Sequence, residues 1–264
     1  MAVKTEIGTT TASDITVRGR SLSGEILGKY DFVDMICWLS WGRMPTPQQK
    51  NMLNLLLVAA ADHGLTPSAL SARLTFMGAP ESLQGAVAAG LLGAGSTFLG
   101  TVQNAAELLS HAAGELESDP SEQALEHAAA RIITRLRDEK KSLPGWGHPI
   151  HVNGDPRVPV LIEVSSANGY LGRHWRLALA IERQVSELRG RKLPLNAAGA
   201  FGAIVADMGL DPMFGRGIAL VARAAGLVAH VLEERRNPIG PDLWNLVLSE
   251  DPLNELPAAV ARRQ

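Results

Sequence analysis

The chain has 264 residues, of which 46% are hydrophobic and only 5% aromatic, and its 25 basic and 27 acidic side chains leave a net charge of -2. That length buries a sizeable core in one or two units, and a composition rich in Ala, Leu and Gly points to close helix-on-helix packing rather than a β-rich fold. With no basic excess and no Lys/Arg cluster, nucleic acid is not an expected partner; the lone Cys37 rules out an intrachain disulfide or a Cys-based metal site and favours a reducing cytoplasm.

The first fourteen residues carry no apolar run of leader length and are expected to form a flexible arm. Ile15 to Arg20 alternates apolar and polar residues, as a short strand does, and a turn-like Ser21 to Leu27 follows. Val33, Ile36, Cys37 and Leu39 stripe a helix from Asp31 that ends at Gly42. Thr46 before Pro47 is a helix cap with proline in the first turn, opening a helix that stops near Asp62-His63-Gly64. Thr66 to Met77 and Pro80 to Ala94 read as two more helices, the second broken by Gly93 and Gly95. Ser82 to Ala106 lacks charge over a bilayer-crossing length, but its Gln84, Gln103, Asn104 and five glycines predict a buried soluble helix and no membrane partner. A helix over Pro120 to Glu139 leads into a Gly- and Pro-dense loop from Lys140 to Arg157. Helices are predicted over Val158 to Gly169, Trp175 to Arg189, Asn196 to Met208 and Met213 to Glu234.

Several residues offer chemistry. His148 sits between Gly147 and Pro149, where it serves as an acid/base or a polar clamp, or else caps a loop carbonyl. Arg157 closes the same loop. Arg223 interrupts a small-residue apolar helix, so its desolvated guanidinium needs an anion: a carboxylate of a ligand, or an internal acid such as Glu233 or Glu234. His230, seven residues on, shares its face. Asp62-His63 lies at a helix end, where simple capping by Asp62 is the alternative. HExxH, GxSxG, GxGxxG and GxxxxGK[ST] are all missing, so no metal, hydrolase-elbow, dinucleotide or P-loop site is expected.

Taken in order, these segments resemble the citrate synthase family over about three quarters of the chain. The carriers are ITVRGRSLSGEILGKYDFVDMICWLSWGRMPTPQQ, DHGLTPSALSAR, GAVAAGLLGAGS, GWGHPIHVNGDPR and MFGRGIALVARAAGLVAHVLEE; a helical stretch of the full-length family is missing after the first. The resemblance implies an all-α fold with a large helical domain (15–140 and 210–264), a loop and small helical domain (141–209) and a flexible arm (1–14). It implies a homodimer acting on CoA thioesters and di- or tricarboxylates with no tightly bound cofactor. His63 becomes the oxaloacetate-contacting histidine and His148 the histidine on the substrate carbonyl. Arg157 and Arg223 become carboxylate ligands, Asn196 a pocket residue, and Gly145, Trp146, Gly147, Pro149 and Ile150 the CoA-binding loop.

Two departures stand out. The family's G-P-x-H-G-G reads Gly95-Ser96-Thr97-Phe98-Leu99-Gly100, with Phe98 where the enol-stabilising histidine belongs. Its N-V-D-F-Y-S-G reads Asn196-Ala197-Ala198-Gly199-Ala200-Phe201-Gly202, with Ala198 in place of the basic aspartate. A third arginine, supplied across the family's dimer, has no clear counterpart in Arg235-Arg236-Asn237-Pro238. Enolising acetyl-CoA without that base is not expected. The resemblance to short relatives with a GHP loop implies instead a citryl-CoA lyase-like cleavage of citryl-CoA or a related 3-hydroxyacyl-CoA. A thioester hydrolase or other acyltransferase, and a non-catalytic CoA-ester-binding homologue, are the alternatives.

Overall fold

The computed structural model describes residues 3–255. It opens on an antiparallel meander of β1 (Gly8–Thr10), β2 (Ile15–Val17) and β3 (Arg20–Ser21). The arm expected to be flexible through residue 14 is therefore anchored from Gly8, which pairs with Val17. The Thr11 N–H donates to the Asp14 carbonyl at 2.8 Å, and the Asp14 N–H donates back to the Thr11 hydroxyl at 3.0 Å. This turn sets the register of the two strands. Val17 and Ile26 pack on Trp38, whose indole N–H donates to the Val17 carbonyl at 2.9 Å.

Helices make up most of the remainder: α1 (Phe32–Trp41), α2 (Pro47–Ala61), α3 (Pro67–Gly78), α4 (Leu83–Ala94), α5 (Gly100–Ala113), α6 (Glu122–Asp138), α7 (Arg157–Ala167), α8 (Arg173–Arg189), α9 (Ala197–Asp207), α10 (Pro212–Arg236) and α11 (Gly240–Glu250). Single π-helical turns occupy Leu22–Ile26 and Gly95–Leu99. Most helix starts follow from local chemistry. Asp31, Thr46, Thr66, Ser82 and Ser121 each accept a backbone N–H of the first turn, and Pro47 and Pro67 sit where no N–H is needed. Losing one such cap costs about 1 kcal/mol. Two helical regions escaped the sequence reading: the second half of α5, and α11, which carries Pro241 in its first turn.

One hydrophobic cluster runs from Val33 on α1 to Ala222 on α10, with Leu53, Leu109, Leu161, Trp175, Leu177, Ile181 and Ile204 fully buried within it. It crosses the segment boundaries at 140 and 209 drawn from the sequence. Burying each Leu or Ile side chain contributes roughly 1.5–3 kcal/mol. Small residues set the helix spacing. A Cβ on Gly202 of α9 would stand 2.7 Å from the Ala105 methyl of α5. At Gly226 of α10 a Cβ would collide with the Ala61 carbonyl at the end of α2, and only glycine lets Asp62 and His63 lie against α10.

Two helical stretches, Leu83–Ala113 and Pro212–Arg236, are long and apolar enough to cross a membrane by length and composition. The first was expected to be a buried helix, yet only 28% of its apolar window is buried and Leu92 is 82% exposed. Gly95 explains this. With φ +46° it turns the chain at the π-helical turn, so α4 packs on α3 and α10 while α5 packs on α9, and neither half is enclosed all round.

Candidate active site

A cavity of about 580 Å³ opens where five pieces of chain meet: the α2–α3 junction, the turn between α4 and α5, the 145–157 loop, the start of α9 and the middle of α10. His63, His148, Arg157, Arg223, Phe98, Ala198, Asn196, Gly147, Pro149 and Ile150 all line it. Segments up to 160 residues apart in the chain are thus brought to one place, as the sequence reading required. Gly145 and Trp146 are the exceptions. Both are buried beneath the loop, Trp146 bridging to Leu195 and Gly145 pressed so closely on Gly199 that a Cβ there would stand 2.5 Å from the Gly199 Cα. They brace the loop and do not line the cavity.

The base of the loop is held by main chain. Gly147 N–H donates to the Pro194 carbonyl at 2.7 Å, and Asn196 N–H donates to the Gly145 carbonyl at 2.9 Å. Asn196 caps α9, its Oδ1 accepting the N–H groups of Ala198 and Gly199, while its Nδ2 donates to the Gly147 carbonyl at 2.7 Å. Its amide is therefore a brace for the loop, although the residue borders the cavity. Ala198, half-buried, and Phe98, 51% exposed, add apolar wall, and no carboxylate lines the cavity among the described residues.

The tautomer of His148 follows from its partners. Its Nδ1 accepts the backbone N–H groups of Ile150 and His151, each at 3.1 Å, so Nδ1 holds the lone pair and the proton of the neutral ring sits on Nε2. Burial, and then the neighbouring His151, lower its pKa and keep the ring neutral near pH 7. His148 is thus an Nε2–H donor and not a base. The pKa of His63 is lowered as well, by burial and then by the charge of Arg157, which leaves it neutral and able to accept a proton.

The sequence reading passed over His151. Its Nε2 lies 3.4 Å from His63 Nε2, and its ring centroid 4.5 Å from that of His148. The His-x-x-His spacing within GHPIH was the available signal. Nitrogens of these three rings lie within 4.8 Å of one another, a separation that would suit a metal. The donor set fits one poorly. His148 Nδ1 already takes two backbone N–H groups and its Nε2 carries a proton, so coordination would require breaking those bonds or forming an imidazolate.

The two arginines differ. Arg157 donates from Nε to Asp155 Oδ1 at 3.0 Å and from Nη2 to Oδ2 at 2.8 Å. Burial alone would raise the Asp155 carboxyl, but the Arg157 side chain and the N–H groups of Arg157 and Ala197 outweigh it and hold the pKa at about 2. Arg223 is only 8% exposed and its buried Nη1 has no partner among the described residues. Glu233 and Glu234, the internal acids considered for it, pair instead with Arg73 of α3, which donates to Glu234 at 2.8 Å and also to Glu233. His230 turns away as well, accepting from Arg73 Nε at 3.1 Å and meeting Asp62 Oδ1 at 2.8 Å. Burial weakens the hold of Arg223 on its own proton, an effect that the nearby charge of Asp62 offsets only in part.

Residues 2–241 match the family described as citrate synthase, C-terminal domain. The chain is 27% identical over 224 residues to citrate synthase 2 of Bacillus subtilis, covering 80% of this chain and 56% of that protein. It is 24% identical over 243 residues to a probable ATP-citrate synthase of Dictyostelium discoideum, covering 86% of this chain and 37% of that one. It therefore spans about half the length, or less, of these curated relatives. Among solved structures, citryl-CoA lyase from Hydrogenobacter thermophilus superposes with a TM-score of 0.79 at 29% identity, covering 99% of this chain and 100% of that one. ATP citrate lyase from Methanosaeta concilii in complex with (3S)-citryl-CoA superposes with a TM-score of 0.75 at 22% identity, a likeness of fold, covering 89% of this chain and 39% of that one. With the family match extending over most of its length and the same helical fold throughout, the chain belongs to the citrate synthase family.

Proposed function

We propose that the chain is a carbon–carbon lyase that cleaves citryl-CoA or a related 3-hydroxyacyl-CoA to acetyl-CoA and a 2-oxo acid. The observation that carries this reading is a cavity holding a fixed Nε2–H donor, His148, and an unpartnered buried cation, Arg223, with no carboxylate on its wall. Condensation needs a base strong enough to take a proton from a thioester methyl group, and Ala198 supplies none. Cleavage begins elsewhere, at the hydroxyl of the substrate. His63 accepts that proton and His148 donates its Nε2–H to the oxygen as it becomes a carbonyl, while Arg223 holds the adjacent carboxylate. The bond to the thioester α-carbon breaks, its electron pair passes into the thioester enolate, and the enolate is then protonated. No oxidant or resident cofactor is required, because CoA enters with the substrate.

The end-to-end correspondence with a citryl-CoA lyase supports the same reaction class. We further propose that Pro149 and the exposed Ile150 meet the CoA arm at the mouth, and that the protein works as a cytoplasmic homodimer. The buried Cys37 thiol, pushed up to about 11 chiefly by burial, is inert and fits a reducing compartment. Incubation with citryl-CoA and mass spectrometry of the products tests the reaction. Oxaloacetate plus acetyl-CoA, with a rate falling at least 100-fold in His148→Ala, is the expected result. Free CoA plus citrate would make the protein a hydrolase, and bound but unchanged ester would make it a binding homologue.

A further inference from the structure

His63 and His148 reach the cavity by different means. His148 is locked by two backbone N–H groups on its own Nδ1. The ring of His63 has one hydrogen-bond contact among the described residues, a long one of 3.4 Å to His151 Nε2, so its place is inherited from the main chain that carries it. That main chain is a turn at the end of α2, and a carboxylate folds it. Asp62 Oδ2 accepts the Gly64 N–H at 2.9 Å, where Gly64 takes φ +71°, and the His63 N–H bonds to the same carboxyl. Burial would raise the Asp62 carboxyl, but the Gly64 N–H, the His230 side chain and the His63 N–H outweigh it and hold it below its ordinary value.

The carboxylate is itself anchored from α10. Gly226 lets the end of α2 lie against that helix, and His230, one turn further on the same face, brings its Nε2 to 2.8 Å from Asp62 Oδ1. The direction of this bond is fixed from the far side of the ring. Arg73 Nε and Nη2 lie 3.1 and 3.0 Å from His230 Nδ1, and a guanidinium only donates. Nδ1 therefore accepts, and the proton of the neutral ring sits on Nε2, facing Asp62. Arg73 is in turn held by Glu233 and Glu234. The Asp62 side chain is 54% exposed, and a carboxylate that open is readily shared with water. The His230 side chain, 11% exposed and already oriented, holds it at little entropic cost.

Resting on the lyase reading, we infer that Asp62 and His230 are positioning residues for the reaction: Arg73 orients His230, His230 holds Asp62, and Asp62 sets the turn that presents His63 to the substrate hydroxyl. Neither lines the cavity, so both act through His63.

The test separates placement from turnover. Ring 15N–1H spectra of the histidines are recorded on the full chain, with the His63 signals identified by their loss in His63→Ala. Asp62→Ala and His230→Leu are each expected to shift or broaden those signals, and His230→Gln, which keeps an N–H for Asp62, to restore them. Signals unmoved in either of the first two overturn the inference. His230→Leu leaves the Asp62 charge in place, so with citryl-CoA kcat is expected to fall roughly tenfold or more while KM stays within about threefold, and His230→Gln to recover most of the loss. An unchanged kcat, or no recovery in His230→Gln, gives His230 a merely structural role and overturns the inference. Should His230→Leu lose its native melting transition, Asp62→Ala, at an exposed position, carries the spectral and kcat readings. If the parent chain cleaves no ester, the lyase reading falls and the spectra alone decide the placement of His63.

Discussion

Arg73 and Arg223 are both buried against or within α10, and their surroundings are opposite. Arg73 is 2% exposed and has every partner it needs, with Glu233, Glu234 and His230 around its guanidinium. Arg223 is 8% exposed and leaves a buried Nη1 unmatched. Burial of the same group is therefore matched by acids in one place and left without a paired acid among the described residues in the other. Arg157 lies between the two, partly exposed and joined to one buried carboxylate. What separates them is the accounting of partners, since a buried guanidinium with no acid bonded to it carries a desolvation cost that a paired one offsets.

The comparison breaks first at Arg73. Arg73→Met leaves Glu234, which is almost fully buried, without its cation and is expected to cost about 3–5 kcal/mol in chemical denaturation. A loss under about 1 kcal/mol would show the network to be ornamental. The next test uses acid. The Asp155 carboxyl falls from 3.8 to about 2 on folding, so its contribution is fully present above about pH 4 and is lost as pH drops through about 2. That contribution amounts to about 2 kcal/mol, and Asp155→Asn is expected to flatten this part of the stability profile. Arg223→Met sharpens the contrast by going the other way. Stability should hold or rise by about 1 kcal/mol, because an unsatisfied buried donor is removed, while the thermal shift produced by a 2-oxo acid vanishes. The smallest effect belongs to His151, whose charge helps keep the His63 pKa below its ordinary 6.5. Activity should be flat above pH 6.5 and decline below it, and His151→Phe should move that acid limb upward.

The features that were legible in the sequence are the local ones. Thr46 before Pro47, Gly42 after Trp41 and the breaking glycine at Gly95 act within a turn of themselves, and each stands where the pattern placed it. The residues assembled at the cavity were legible too, because motif order along the chain carried them. What was not legible is which way a side chain faces and whom it meets. Trp146 and Gly145 were assigned to ligand because the loop is, yet contact with Gly199 and Leu195 turns them inward. Glu233 and Glu234 were sensible partners for Arg223 by proximity in sequence, but α3 delivers Arg73 to them across more than 150 positions. The stabilising role of Asp155 was hidden for the same reason, since its third partner is the N–H of Ala197, 42 residues away.

The 145–157 loop is fastened at its base by peptide groups, through Gly145, Gly147 and Pro194, with the amide of Asn196 and the carboxylate of Asp155 as side-chain struts. A clamp built this way is nearly blind to the letters written beyond it. The tip from Ile150 to Asn153 can change composition while His148 keeps its place, because the two bonds to its Nδ1 come from backbone N–H groups that any residue except proline supplies. Evolution, or a designer, can therefore rewrite Ile150, on the cavity lining, and the neighbouring Val152 and Asn153 while His148 stays in place. The fold separates an invariant seat for chemistry from an editable rim for choice.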